Sequence, residues 1–284
     1  MGGRTTPTQR GQRGAGPVFY STANRSAHKN IVIPAKAGIQ VFEKWIPAFA
    51  GMTDEQVVQE QDVIRALILD FGGTIVTMDG NAESARLVAA ELDVPLKDVM
   101  AEVLDHPDWT DAMLGKYTIE EFDQRLYRRL GKPYDPSQHP LIYRMFANEV
   151  LNTGLLAVAD EVRAQNGKAA ILSNATFDLE ERLLISKFGI LDRFDVVVNS
   201  SRLGIIKPNP AIYLHTLDLL EVEPHEAIFV DDLPVNVEAA AALGIHAIHF
   251  RNEAQAVADI HKIRAHANRA GESIVEASYR APIE

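Results

Sequence analysis

Asp70-Phe71-Gly72-Gly73-Thr74 follows directly on the apolar run Ala66-Leu67-Ile68-Leu69. The run does not alternate between apolar and polar residues. It therefore reads as a strand buried on both faces, as in parallel sheets. Asp70 then stands at the C-terminal end of a central strand, where open α/β sheets place their ligands. Gly72, Gly73 and Thr74 make a tight turn that lets backbone N–H groups approach an anion.

Downstream of this turn the pattern becomes helical. Ala82–Leu92 is apolar at helical spacing, and Pro95–Leu104 opens with proline at a first helical position. Thr118-Ile119-Glu120-Glu121 is a capping box, and its helix should run to Leu130 with Gly131 as the stop. A further helix is predicted over His139–Leu151, with no strand between residues 80 and 150. From residue 154 helices and strands alternate. The strands are Lys168–Leu172, Val196–Asn199, Ala227–Val230 and His246–Phe250. The helices span 154–165, the stretch to Phe188, Pro210–Leu220 and Val235–Leu243. This alternation predicts an α/β fold, a doubly wound parallel sheet. On this reading residues 63–80 and 151–250 form the core. Residues 81–150 form a small helical cap inserted after the first strand. Residues 251–284 add a helix over Ala254–Ala270, ended by Gly271, and a loose tail.

The composition narrows the function. The chain has 284 residues, 46% hydrophobic and 24% charged, which suits a globular protein. A formal net charge of -11 argues against a nucleic-acid partner. It also means that an anionic substrate needs a local positive site. There is no cysteine, which excludes a disulfide framework, a thiol nucleophile and a zinc-thiolate site. No apolar run reaches the length of a membrane span, so no membrane partner is expected and the protein is placed in the cytoplasm. His246 and His249 read as structural or surface residues.

The first 62 residues look foreign to this pattern. Residues 1–30 are rich in Gly, Arg, Thr and Ser, and no acidic residue precedes Glu43. Such a composition cannot bury a core, so the segment is expected to be a disordered extension. Ile33-Pro34-Ala35-Lys36-Ala37-Gly38 recurs as Ile46-Pro47-Ala48-Phe49-Ala50-Gly51. The segment resembles the translation of a palindromic intergenic repeat, which would put the true start near Met52. The rival reading is a basic, acid-poor targeting peptide.

Three further motifs follow predicted strands. Leu172-Ser173-Asn174 places a hydroxyl and an amide at one strand end. Gly204-Ile205-Ile206-Lys207-Pro208-Asn209-Pro210 sets a lysine just before a helix. Val230-Asp231-Asp232-Leu233-Pro234-Val235-Asn236 places two adjacent carboxylates at a strand end. Adjacent buried carboxylates repel, so a cation is their natural partner. Taken singly, Asp70 could cap a turn, and Ser173, Asn174 or one aspartate could cap a helix.

Together and in this order, the four motifs resemble those of the haloacid dehalogenase-like hydrolases, over roughly residues 64–250. The opening motif of that family reads Asp-x-Asp-x-Thr. The resemblance implies a Rossmann-like core with Asp70 as nucleophile and magnesium ligand. It implies further ligands in Asp232 and the backbone carbonyl of Gly72. Asp231 lies beside the ion, as a ligand or one step behind it. Phosphate would be bound by Gly73, Thr74, the hydroxyl of Ser173 and Lys207, which also neutralises Asp70. Asn174 would orient the substrate and Asn236 the acidic loop. The implied partner is a small phosphorylated metabolite.

This chain departs from the pattern at Gly72, where the family carries a second aspartate. In the family that side chain protonates the leaving oxygen and then activates water, while its backbone carbonyl binds the metal. Glycine keeps the carbonyl and loses the acid. Loss of a general acid typically costs about 10²–10⁴ in rate. Three readings follow. One is a phosphatase acting on easier leaving groups, similar to a bacterial branch of sugar-1-phosphate phosphatases that also carries glycine here. The second is a haloacid dehalogenase, which needs no proton but lacks magnesium. The third is a non-catalytic binding or regulatory protein. Trp109, Asp111 and Tyr117 are cap residues placed to meet a sugar.

Overall fold

The computed structural model describes residues 63–77 and 79–279, with side chains to residue 267. The expectations for residues 1–62 lie outside the described residues. The core is a five-stranded, wholly parallel sheet. Its strands are β1 (Ala66–Leu69), β4 (Lys168–Ser173), β5 (Val196–Asn199), β6 (Ala227–Asp231) and β7 (His246–His249), in the order β5-β4-β1-β6-β7. β1 is central and all four of its residues are buried. Its side chains alternate between two apolar layers. Leu67 and Leu69 join a layer with Leu155, Val158 and Ile260, under helices α6 (Thr153–Ala164) and α10 (Glu253–Tyr279). Ala66 and Ile68 join the opposite layer with Ile212, Tyr213 and Ala240, under α8 (Pro210–Leu220) and α9 (Pro234–Ala241). A sheet covered on both faces explains why the strands read as continuous apolar runs.

The chain leaves β1 for β4 and β5 on one side, then returns to β6 and β7 on the other. The strand order therefore switches direction beside β1. In open α/β sheets this is where a crevice opens at the carboxyl ends of the strands.

Between β1 and β4 the chain builds the cap. Its helices are α1 (Ala82–Glu91), α2 (Leu96–Met100), α3 (Pro107–Met113), α4 (Ile119–Arg129) and α5 (Leu141–Met145). They enclose their own apolar cluster around Phe122, Leu126, Leu141 and Met145. The capping box forms as predicted: Glu121 N–H donates to Thr118 Oγ1 at 3.2 Å, and Thr118 N–H donates to Glu121 Oε2 at 2.9 Å.

The structure corrects the predicted elements at four places. The helix predicted over His139–Leu151 stops at Met145. The chain then forms β3 (Val150–Leu151), which pairs antiparallel with β2 (Val76–Thr77). The side chains of two asparagines take the chain out of the helix, through bonds that compete with helical ones. Asn148 Nδ2 donates to Ser84 Oγ at 2.6 Å, and Asn152 Nδ2 donates to the Thr74 carbonyl at 2.7 Å. The strand-free stretch is corrected accordingly, because β3 begins at Val150. The helix from Pro95 becomes α2 followed by a π-wound turn over Ala101–Asp105, and a similar winding spans Leu179–Lys187. The last helix runs through Gly271 to Tyr279. Strong helix formers on both sides outweigh a glycine penalty of about 1 kcal/mol. Among the described residues, no helix is long and apolar enough to cross a membrane.

Asp123, buried in the cap, accepts a hydrogen bond from Leu141 N–H at 2.9 Å and so holds the start of α5. Burial pushes its carboxyl up to about 6, above the ordinary 3.8. Its contribution to stability is thus full below about pH 4 and lost as the pH rises through 6. Asp123→Asn keeps the acceptor and removes the charge. Thermal unfolding should show the variant level with the parent near pH 4, and more stable near pH 7 by roughly 1–2 kcal/mol. A variant destabilised equally at both pH values would show that the carboxylate itself is needed.

Candidate active site

Three strand ends and one loop supply the site. Asp70 follows β1, Ser173 ends β4, and Asp231 ends β6 with Asp232 next to it. Lys207 arrives on the loop between the short helix α7 (Ser200–Leu203), which follows β5, and α8. Its ammonium is almost fully buried and makes three hydrogen bonds: to Asp70 Oδ1 at 2.7 Å, Asp231 Oδ2 at 2.6 Å and the Leu172 carbonyl at 2.8 Å. An ammonium has three donors, so all are used. Burial opposes the Lys207 charge, but the Asp70 and Asp231 carboxylates outweigh it and hold its pKa above the ordinary range. Burial also pushes the Asp70 carboxyl up to about 7, with Asp231 and Asp232 adding to the rise and Lys207 opposing it.

The acidic pair divides its work. Asp231 is fully buried. Besides Lys207, it accepts from Leu233 N–H at 2.9 Å and from Asn236 Nδ2 at 3.0 and 3.1 Å. Asn236 thus steadies the acidic loop, as the motif implied. Asp232 is half-buried and lines the cavity. A Cβ on residue 73 would press against the Asp232 carboxylate and force it to shift, so glycine leaves that carboxylate in place. Gly73 also has φ +83°, a left-handed conformation that glycine adopts freely. Burial and the adjacent Asp231 raise the Asp232 pKa.

The carboxylates of Asp70, Asp231 and Asp232 offer ligand oxygens that all lie within 4.8 Å of one another. Three carboxylates thus share one ammonium. The donors are hard oxygens, the set that suits magnesium or calcium. The residues present fit a divalent cation.

The cavity above this cluster has a volume of about 640 Å³. Asp70, Gly72, Ser173, Asn174, Lys207 and Asp232 line it. Gly73, Thr74 and Asp231 lie behind the wall. Thr74 is fully buried, and its hydroxyl has no hydrogen-bond partner among the described residues. Asn174 also lines the cavity, and its amide clamps the lysine loop: Nδ2 donates to the Lys207 carbonyl at 3.0 Å and Oδ1 accepts Lys207 N–H at 2.8 Å. The second N–H of the amide is not used by these bonds. Among the sugar-facing candidates, Trp109 lines the cavity, whereas Tyr117 donates its hydroxyl to Asp111 Oδ2 at 3.3 Å and Asp111 also accepts from Lys116 Nζ at 2.6 Å, on the cap away from the cavity lining.

Sequence reasoning missed much of the wall. Met100, Leu104, Met113, Tyr143 and Phe146 from the cap face the cavity, together with Leu179 and Leu183 from the π-wound helix. Their spacing in sequence matches an ordinary apolar helix face, so only the folded arrangement separates them from cap core.

Comparison with known proteins agrees with this architecture. Residues 64–244 match the family model for haloacid dehalogenase-like hydrolases. The chain is 31% identical over 207 residues to mouse acyl-CoA dehydrogenase family member 10, a match covering 69% of this chain and only 19% of that protein. It is 25% identical to phosphoglycolate phosphatase of Aquifex aeolicus, over 64% of this chain and 82% of the relative. Among solved structures it resembles a family enzyme of Bacteroides thetaiotaomicron in complex with magnesium and inorganic phosphate. The TM-score is 0.52 at 20% identity, covering 66% of this chain and 93% of that one. From the extent of the family match and the shared fold, the chain belongs to the haloacid dehalogenase-like hydrolases.

Proposed function

We propose that the protein is a magnesium-dependent phosphatase of small phosphate monoesters that works through an aspartyl phosphate on Asp70. One observation carries this reading: Asp70 sits at the end of β1 within 2.7 Å of Lys207, with Asp231 and Asp232 clustered beside it. The phosphatases among its relatives support it, as do the magnesium and phosphate bound by the Bacteroides enzyme.

Asp70, Asp232 and the Gly72 carbonyl would hold the metal, with Asp231 held behind them by Lys207 and Asn236. A bound ion would supply positive charge that offsets the phosphoryl oxygens and favours the ionised form of Asp70. Asp70 then attacks phosphorus, and the bond from phosphorus to the ester oxygen breaks. The phosphoryl group passes to Asp70, and the leaving oxygen departs with its electron pair and takes a proton from water. A water molecule next attacks the phosphorus of the acyl phosphate. Inorganic phosphate leaves and the carboxylate is restored. The side-chain hydroxyl of Ser173 makes no protein hydrogen bond among the described residues and lines the cavity, so it is placed to donate to a phosphoryl oxygen. The acidic cluster favours a cation and speaks against a metal-free dehalogenase.

Metal binding should depend on Asp232. Asp232→Ala removes an anionic ligand while leaving the Lys207 network intact, and calorimetry should show magnesium affinity falling at least about tenfold. Normal affinity in that variant would remove Asp232 from the ligand set.

Gly72 cannot donate a proton, so negative charge must build on the leaving oxygen. The value of kcat/KM across monoesters of similar size should fall steeply as the leaving-group pKa rises. Asp70→Asn should abolish turnover, and Gly72→Asp should flatten the slope. A flat series in the parent would mean that another group supplies the proton. No turnover of any ester with magnesium present would favour the non-catalytic reading.

A further inference from the structure

The cavity has a polar floor and an apolar wall. The floor holds Asp70, Lys207, Asp232 and Ser173. The wall that faces it comes chiefly from Met100, Leu104, Trp109, Met113, Phe146 and Leu183. Leu104 on the cap is 39% exposed and Leu233 beside the acidic motif is 50% exposed. Both line the cavity, and apolar surface left open in such a place marks a binding site rather than unfinished core.

Most polar side chains on the wall already have protein partners; among the described residues the Trp109 indole N–H and one N–H of Asn174 are the exceptions above the floor. Tyr143 donates its hydroxyl to Asp178 Oδ2 at 2.7 Å, and Thr176 donates to Asp178 Oδ1 at 2.6 Å. Glu149 accepts from Lys187 Nζ at 2.7 Å. Asn174 and Asn236 bond to Lys207 and Asp231. A sugar entering above the floor would bury several hydroxyls against methyl, thioether and aromatic groups. Each hydroxyl left without a partner weakens binding.

We propose that the site takes a phosphate monoester whose leaving group is apolar, an aryl or long-chain hydroxyl compound, rather than the sugar that the sequence resemblance implies. This rests on the phosphatase reading for the phosphate end alone. The cavity of about 640 Å³ has room for a group well beyond the phosphate. An aryl ester also meets the constraint set by Gly72, because a phenoxide leaves without a proton more readily than an alkoxide.

The test uses non-hydrolysable ligands, so that binding is read apart from turnover. Calorimetry with the full chain and magnesium would compare methyl-, butyl- and octylphosphonate with a phosphonate analogue of glucose 1-phosphate. Octylphosphonate should bind on the order of 100-fold more tightly than methylphosphonate, a modest fraction of the gain that full burial of each methylene would give. It should also bind more tightly than the sugar analogue. Leu104→Glu, at a partly exposed position that tolerates a polar side chain, should narrow the gap between octyl and methyl about tenfold. Equal binding across the alkyl series, or preference for the sugar analogue, would overturn the proposal. Turnover of 4-nitrophenyl phosphate by the same preparation judges the phosphatase reading separately. Tight octylphosphonate binding without turnover supports the apolar site and removes the phosphatase. Turnover with a flat alkyl series does the reverse.

Discussion

The buried ammonium of Lys207 is the constraint on which the rest of the site depends. It joins groups from three strand ends: Asp70 after β1, Asp231 at the end of β6 and the Leu172 carbonyl of β4. Two carboxylates this deeply buried could not both carry charge unaided. Lys207 makes their proximity tolerable, and that proximity leaves Asp70 beside Asp232 in a cluster of oxygen donors that fits a divalent cation. The lysine is itself held in place. Asn174 grips the backbone of residue 207 from both sides, and Asn236 keeps Asp231 turned toward the ammonium. These two side chains thus preorganise the charged groups of the floor, fixing their positions in advance.

Above this floor, the cap contributes little that can recognise polar substrate groups. Its helices hold their own core around Phe122 and Leu126, and the residues left over face the cavity as methyl, thioether and aromatic surface. On the proposed function, the floor would hold the phosphate and the wall what the phosphate is attached to, and Gly72 would tie the two together, because a site without a general acid depends on the leaving group itself.

The fold was legible because each core strand is a short apolar run, and runs of this kind announce a parallel sheet. Val196–Asn199 and Pro210–Leu220 match the predicted bounds. The four motifs were legible because reacting groups must stand at strand ends. The β2–β3 ribbon was not, since its two-residue strands depend on asparagine bonds between residues about 64–78 positions apart in sequence. The role of Asn174 was hidden for the same reason, its partner lying 33 residues downstream. The apolar wall escaped because an exposed methionine or leucine in a helix looks the same in sequence as a buried one.

If Lys207 is the charge that lets Asp70 and Asp231 lie together, removing it should be felt most where both carboxylates are ionised. The direct measurement is the thermal unfolding of Lys207→Met across pH, without added metal. With the ammonium gone, the Asp70 carboxyl loses the charge that opposes its rise, so its folded-state pKa moves further above the unfolded value near 3.8. The penalty should be small near pH 4 and grow as the pH rises toward 7. Near pH 7 the variant should be less stable than the parent by about 3–5 kcal/mol, with much of the loss recovered by pH 5. A variant as stable as the parent at pH 7, or one destabilised equally at pH 5 and pH 7, would contradict the account.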